Sequence, residues 1–119
     1  MYSDKLLFYF HSRAHGGKLS EFTHCGTAGT PGQGPSITIW LLVADDTITK
    51  ASWKAWGCPA AIGCAEALCE KLEGMPITAA PEVTAAQLIE LVGGIPENKE
   101  HCPILAVKAI QSVLTTSGF

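Results

Sequence analysis

Residues 96–106, PENKEHCPILA, set an imidazole and a thiol side by side, His101 and Cys102, directly before a proline and an apolar helical pattern. Residues 54–63, KAWGCPAAIG, repeat the arrangement, with Cys58 ahead of Pro59 and a second helical pattern. Proline suits the first turn of a helix, because its missing N–H would have no intrahelical partner there. Both thiols are therefore expected at or near helix starts. The unpaired N–H groups of a helix start carry partial positive charge, which favours thiolate over thiol. Thiolate is the form that binds metal or attacks an electrophile, and an adjacent imidazole is a neutral ligand or a base. Cys58 and Cys102 are expected to meet.

The elements around these two points follow from periodicity. Residues 36–43, SITIWLLV, alternate, with Ile37, Ile39, Leu41 and Val43 on the face expected to be buried. Residues 44–46, ADD, make a turn, and residues 47–56 return as a second strand. Residues 2–12 read as a short helix with Ser3 as N-cap and Asp4 in its first turn. Residues 15–35 are rich in Gly, Thr and Pro and read as loop. A third strand within them would have poor propensity. From residue 59 to about 73, a period of about 100° per residue aligns Cys58, Ile62, Ala65, Cys69 and Leu72, with Glu66, Glu70 and Glu73 along one flank. Gly74 stops that helix. Residues 84–93 form a shorter helix capped by Thr84, and residues 103–116 form the last. Leu105 and Ala109 complete the expected core.

Composition limits what such a chain does. The 119 residues are 47% hydrophobic and 16% charged, which suits one compact domain, 1–119, rather than disorder. A net charge of −3 leaves no electrostatic footprint for nucleic acid or anionic membrane. No apolar run is long enough to span a bilayer, and the start does not read as a signal peptide, so a cytoplasmic protein is expected. Five cysteines with no export signal argue against a disulfide framework. Cys69 lies in the apolar stripe and reads as a small buried hydrophobe. Cys64 is roughly 9 Å along and about 120° around from Cys58 and reads as partly buried filler.

The same residues carry a resemblance. The opening MYSDKLLFYF, the strand entry GTPGQGPSITIWLLV, the segment TITKASWKAWGCPAAIG and the long stretch ELVGGIPENKEHCPILAVKAI resemble the iron–sulfur cluster assembly scaffolds of the IscU type, also found as the amino-terminal domain of NifU. The last two match the patterns GCxxAIAS and LGGLPxxKxHCSxLAxxAL. The resemblance implies an α+β fold, a three-stranded antiparallel sheet with helices packed around it. It also implies a two-iron cluster, or zinc, held at one end by cysteines and a neighbouring His or Asp. Sulfur would arrive as persulfide from a cysteine desulfurase and leave in a cluster passed to acceptor proteins. Cys58 matches one ligand cysteine, and His101 and Cys102 match the His–Cys pair.

The departures are specific. The family's first cysteine falls on Gln33 and its aspartate on Pro35. Glutamine is a weak neutral donor and cannot replace a thiolate toward iron. Cys25, with His24 behind it, is the one nearby thiol to take its place, if the glycines between them let the chain double back. The chaperone-docking pattern LPPVK reads IPENK, which counts against recognition by the DnaK-type chaperone. The pattern NPRN after the first helix is replaced by HSRAH. Three protein ligands would leave a cluster to be shared across a homo-oligomer. Three readings remain: a scaffold or carrier using Cys58, His101 and Cys102, with Cys102 accepting persulfide; a degenerate paralogue that binds protein partners without assembling clusters; and an enzyme with Cys102 as nucleophile. The last ranks lowest, since no oxyanion motif or orienting third group is visible, so a non-enzyme is expected.

Overall fold

The computed structural model describes residues 2–30 and 32–116. Four helices, α1 (Asp4–Ser12), α2 (Pro59–Leu72), α3 (Ala85–Leu91) and α4 (His101–Thr116), pack around strands β1 (His24–Gly29), β2 (Ser36–Ala44) and β3 (Thr47–Trp56). The sheet is antiparallel in the order β1-β2-β3. This is the expected α+β architecture.

Local chemistry accounts for most boundaries. Ser3 caps α1 by accepting a hydrogen bond from the Leu6 N–H at 3.0 Å. Thr84 and Gln87 form a reciprocal capping box at the start of α3. Asp45 and Asp46, at φ 52° and 63°, make the two-residue turn between β2 and β3. Positive φ at both central positions matches the right-handed twist of the strands they join.

The buried face of β2 is the expected one. Ile37, Ile39 and Leu41 are fully buried beneath α2 and α4, with Cys69, Leu72 and Ala109. Val43, Ile62 and Leu105 are half-buried at the margin of this core. A register shift between Leu42 and Val43 turns the end of β2 away from it.

Three sequence expectations are corrected. The glycine-rich segment does contain a strand, β1, because packing outweighs propensity there. Gly26 lies flat against α4, where a side-chain methyl would run into the Ala109 carbonyl, the Ser112 hydroxyl and the Val113 amide. A strand this close to a helix needs a residue without Cβ. Second, α2 is buried nearly all round rather than along a stripe: Cys64 is fully buried, and so is Glu66. Third, α4 starts at His101, so Cys102 lies inside its first turn rather than before it.

Residues 16–23 cross the sheet on the face away from the helices. The Gly17 N–H donates to the Trp53 carbonyl beyond β3, and the Thr23 N–H donates to the Leu41 carbonyl at the opposite side. Trp40 and Ser52, on the face of the sheet opposite Ile39, are also buried. Among the described residues no helix is long and apolar enough to cross a membrane.

Candidate functional site

β3 ends at Trp56, paired with Ser36 at the start of β2. Gly57 then turns the chain at φ 151°, and Cys58 becomes the N-cap of α2 with Pro59 in its first turn. The first turn of α4 comes to the same end of the sheet. Cys58 Sγ lies 3.8 Å from Cys102 Sγ, and Cys102 Sγ lies 3.6 Å from His101 Nε2. Three residues from two segments far apart in the chain are thus brought together, as the matched helix starts suggest.

The two thiols are not equivalent. Burial works against ionisation of Cys58. The N–H groups of Ala61 and Ala60, the Cys102 thiol and the Lys99 ammonium outweigh it and lower its pKa. Cys102 goes the other way: burial, the charge of Cys58 and a hydrogen bond with Cys58 push its pKa up to about 12, with only Lys99 opposing. The expectation that proximity to a helix start depresses the Cys102 pKa is therefore wrong. Of the two, the half-exposed Cys58 is the thiol that ionises more readily.

The donor set can be compared with the edges of a metal tetrahedron. An ion held tetrahedrally, roughly 2.3 Å from sulfur and 2.0 Å from nitrogen, sets sulfur atoms about 3.8 Å apart and sulfur about 3.5 Å from nitrogen. Both measured separations agree with such edges, and two thiols with one imidazole suit zinc or iron. Among the described residues, however, no three His, Cys, Asp or Glu side chains are already disposed around one ion. The donors fit in type and in two separations. The exposed His101 ring is the part free to adjust.

The remaining sequence candidates lie differently. Cys25 is four residues back from Gly29, the end of β1 nearest the site, so it stands roughly 13 Å away along the strand. Its cross-strand partner is Trp40, and the cation it feels is Lys18, not Lys99. Cys25 does not replace the missing ligand: the segment before Gln33 continues as a strand instead of doubling back. His24 is engaged with the Thr23 hydroxyl at 2.7 Å. Gln33 is exposed in the β1–β2 loop, its N–H donating to the Thr30 carbonyl. Pro35 does border the site. With His101, Ile104, Leu105 and Lys108 it lines a cleft of about 280 Å³.

Two neighbours were not identified from sequence. The Tyr2 phenol is raised in pKa by burial and by the charge of Cys58, with which it also hydrogen-bonds, while Lys99 opposes. Lys99 bears on Cys58, Cys102 and Tyr2 alike. Its place two residues before the His–Cys pair is a usable sequence signal, whereas Tyr2 offers none. Cys64 lies close enough to be affected by both site thiols, which add to burial in raising its pKa to about 12.

A sheet of this order with two helix starts converging on a thiol pair defines a small α+β scaffold domain. Comparison with known proteins gives the family. Residues 1–116 match the NifU-like N terminal domain model, and the chain belongs to that family. It is 33% identical to an iron–sulfur cluster assembly scaffold protein IscU of Archaeoglobus fulgidus over 114 residues, 96% of this chain and 74% of that protein. It is 31% identical to the scaffold IscU of Aquifex aeolicus over 92% of this chain and 71% of that protein. The nitrogen fixation protein NifU of a Nostoc species is 27% identical, but this chain spans only 40% of its length. Among solved structures, a protein proposed as the scaffold of the SUF system in Fervidobacterium islandicum superposes with a TM-score of 0.71 at 16% identity, covering 95% of this chain and 96% of that one. That likeness supports the fold alone.

Proposed function

We propose that the chain is a scaffold or carrier that takes an iron–sulfur cluster or zinc through Cys58, Cys102 and His101. The thiol pair at 3.8 Å with an imidazole 3.6 Å from one member carries this reading. Cluster or ion is cargo here, and His101 turns toward Cys58 to complete three donors. The fourth is external: a partner, a solvent molecule or a second copy of the chain.

Sulfur enters at Cys58 rather than Cys102, because Cys58 ionises more readily. Its sulfur attacks the outer sulfur of a persulfide presented by a cysteine desulfurase. The donor's S–S bond breaks and the donor cysteine leaves as thiolate, so the transfer involves no net oxidation. Lys99 stabilises the charge on either side of the step. Cys102, protonated and buried, gives up its proton as the cargo binds, since coordination favours thiolate. An iron–sulfur acceptor protein then takes the cargo, and the chain is not an enzyme. Glu97 and Asn98 within IPENK stand against docking of a DnaK-type chaperone.

A second reading, a degenerate paralogue that binds proteins without assembling clusters, is favoured by the exposed Gln33 and by Pro35 beside His101. Metal and acid-labile sulfide analysis of anaerobically purified protein separates the two. Bound iron with sulfide, or zinc, that disappears in Cys58→Ala supports the carrier. Absence of all three under reconstitution leaves the paralogue.

A further inference from the structure

The segment HSRAH, which stands where the family pattern reads NPRN, has no part in the thiol site. The structure gives it another role. His15 is held by two carboxylates at once: Nδ1 lies 2.5 Å from Glu66 Oε2, and Nε2 lies 2.9 Å from Glu73 Oε1. The His15 backbone N–H also donates to Glu66 Oε1 at 2.8 Å, and the Trp53 indole N–H donates to the same oxygen at 2.9 Å. Glu66 is fully buried, so its charge requires these donors. Glu73 is partly exposed and also accepts from the Ala51 N–H at 3.1 Å.

The geometry acts on a sheet edge. β3 is an outer strand, and its free edge is closed by this segment. The Trp53 N–H donates to the His15 carbonyl at 3.0 Å, and the Gly17 N–H donates to the Trp53 carbonyl at 2.8 Å. His15 thus supplies one of these two edge bonds through its carbonyl, while its ring ties the same residue to Glu66 and Glu73 at α2. Only an imidazolium has an N–H for both carboxylates; neutral imidazole has one.

We propose that His15 is a proton-operated latch: protonated, it bridges Glu66 and Glu73 and holds residues 13–18 on the edge of β3; deprotonated, it keeps one carboxylate, releases the other, and the segment loosens. Neutral His15 keeps the fully buried Glu66 and gives up Glu73, which water can solvate. Other titratable and charged groups lie nearby. From α1, the Tyr9 phenol is shifted upward by burial and by Glu70 and Glu66. From α2, Cys69 is held protonated by burial and the same two glutamates that flank His15. Lys50 of β3 and Lys18 line the cleft beside His15, and Arg13 turns its guanidinium to the Phe10 ring and carbonyl. Burial disfavours the imidazolium, but the two carboxylates outweigh it and raise its pKa above the ordinary value. The latch therefore closes fully below about pH 6.5 and opens as the pH rises through the higher value.

Amide hydrogen exchange of the intact chain between pH 6 and 9.5, corrected for the pH dependence of chemical exchange, tests this. Protection of the Gly17 and Trp53 amides should fall by up to about tenfold per pH unit within the window and stay below that of the Ile39 amide of the central strand throughout, so that the opening read is local. In His15→Gln, which donates to one carboxylate only, protection at Gly17 and Trp53 should be lower at pH 6 and flat with pH. Glu73→Gln, a change at a partly exposed position that leaves the buried carboxylate intact, should fold and lose most of the slope. A flat profile in the unmodified chain, or the same slope in His15→Gln, would overturn the latch.

Discussion

Cys58 and Cys102 show how far identical side chains at similar positions can diverge. Both lie at helix starts, but Cys58 is half-exposed and Cys102 is buried, so Cys58 ionises more readily. In metal-free protein Cys58 should alkylate first with iodoacetamide, ahead of Cys102, with Cys64 and Cys69 slowest. Brief labelling followed by peptide mass spectrometry reads this order, and zinc should protect both site thiols. Labelling of Cys102 before Cys58 would contradict the charge assignment. That the two thiols and the imidazole come together was legible because proline after cysteine lies close to a helix start, although Cys102 falls inside the first turn of α4 rather than before it. The sequence could not rank them, because ranking depends on a 3.8 Å separation between residues 44 positions apart. Gln33 and Pro35 mark what is missing. The Gln33→Cys, Pro35→Asp double variant should bind more iron and sulfide than the parent after reconstitution. No gain would mean that the site departs from the family by more than these two side chains.

Among the elements, β1 and α2 are where tertiary structure overrode local signals. Glycine and threonine gave β1 little strand propensity, yet Gly26 is the reason that α4 can lie against it. Gly26→Ala should destabilise by about 1–3 kcal/mol through overpacking, measurable by denaturant unfolding. Helix α2 carries three glutamates along one flank of its apolar stripe. Nothing within the helix pointed to a partner 51 residues earlier, so the burial of Glu66 was not legible. Glu66→Ala removes the acceptor for His15 and the Trp53 indole and should cost about 3–5 kcal/mol. A loss of under 1 kcal/mol would show that the carboxylate is not integral to the fold. The β2 alternation, by contrast, was fully readable. Ile39→Asp would bury an unpaired carboxylate and should abolish cooperative folding.

At the scale of the molecule, folding and protonation are linked through His15. Its pKa is raised on folding, so the stabilisation is fully present below about pH 6.5 and lost as the pH rises through the folded value. The melting temperature should therefore decline on the alkaline side of neutrality in the parent and decline less in His15→Gln. Equal declines would assign the effect to other groups. Another whole-molecule property follows from where the helices begin. α2 and α4 both start at the thiol end of the sheet, and Asp45 and Asp46 cap the turn at the far end of β2 and β3. The unpaired N–H groups of both helix starts and the Lys99 ammonium lie at the thiol end, so a negatively charged reagent is less disfavoured at Cys58 than at a free thiol. Hydrosulfide is such a reagent. The rate ratio of Cys58 with negatively charged iodoacetate over neutral iodoacetamide should exceed that of free cysteine at low ionic strength, and added salt should bring it back to the free value.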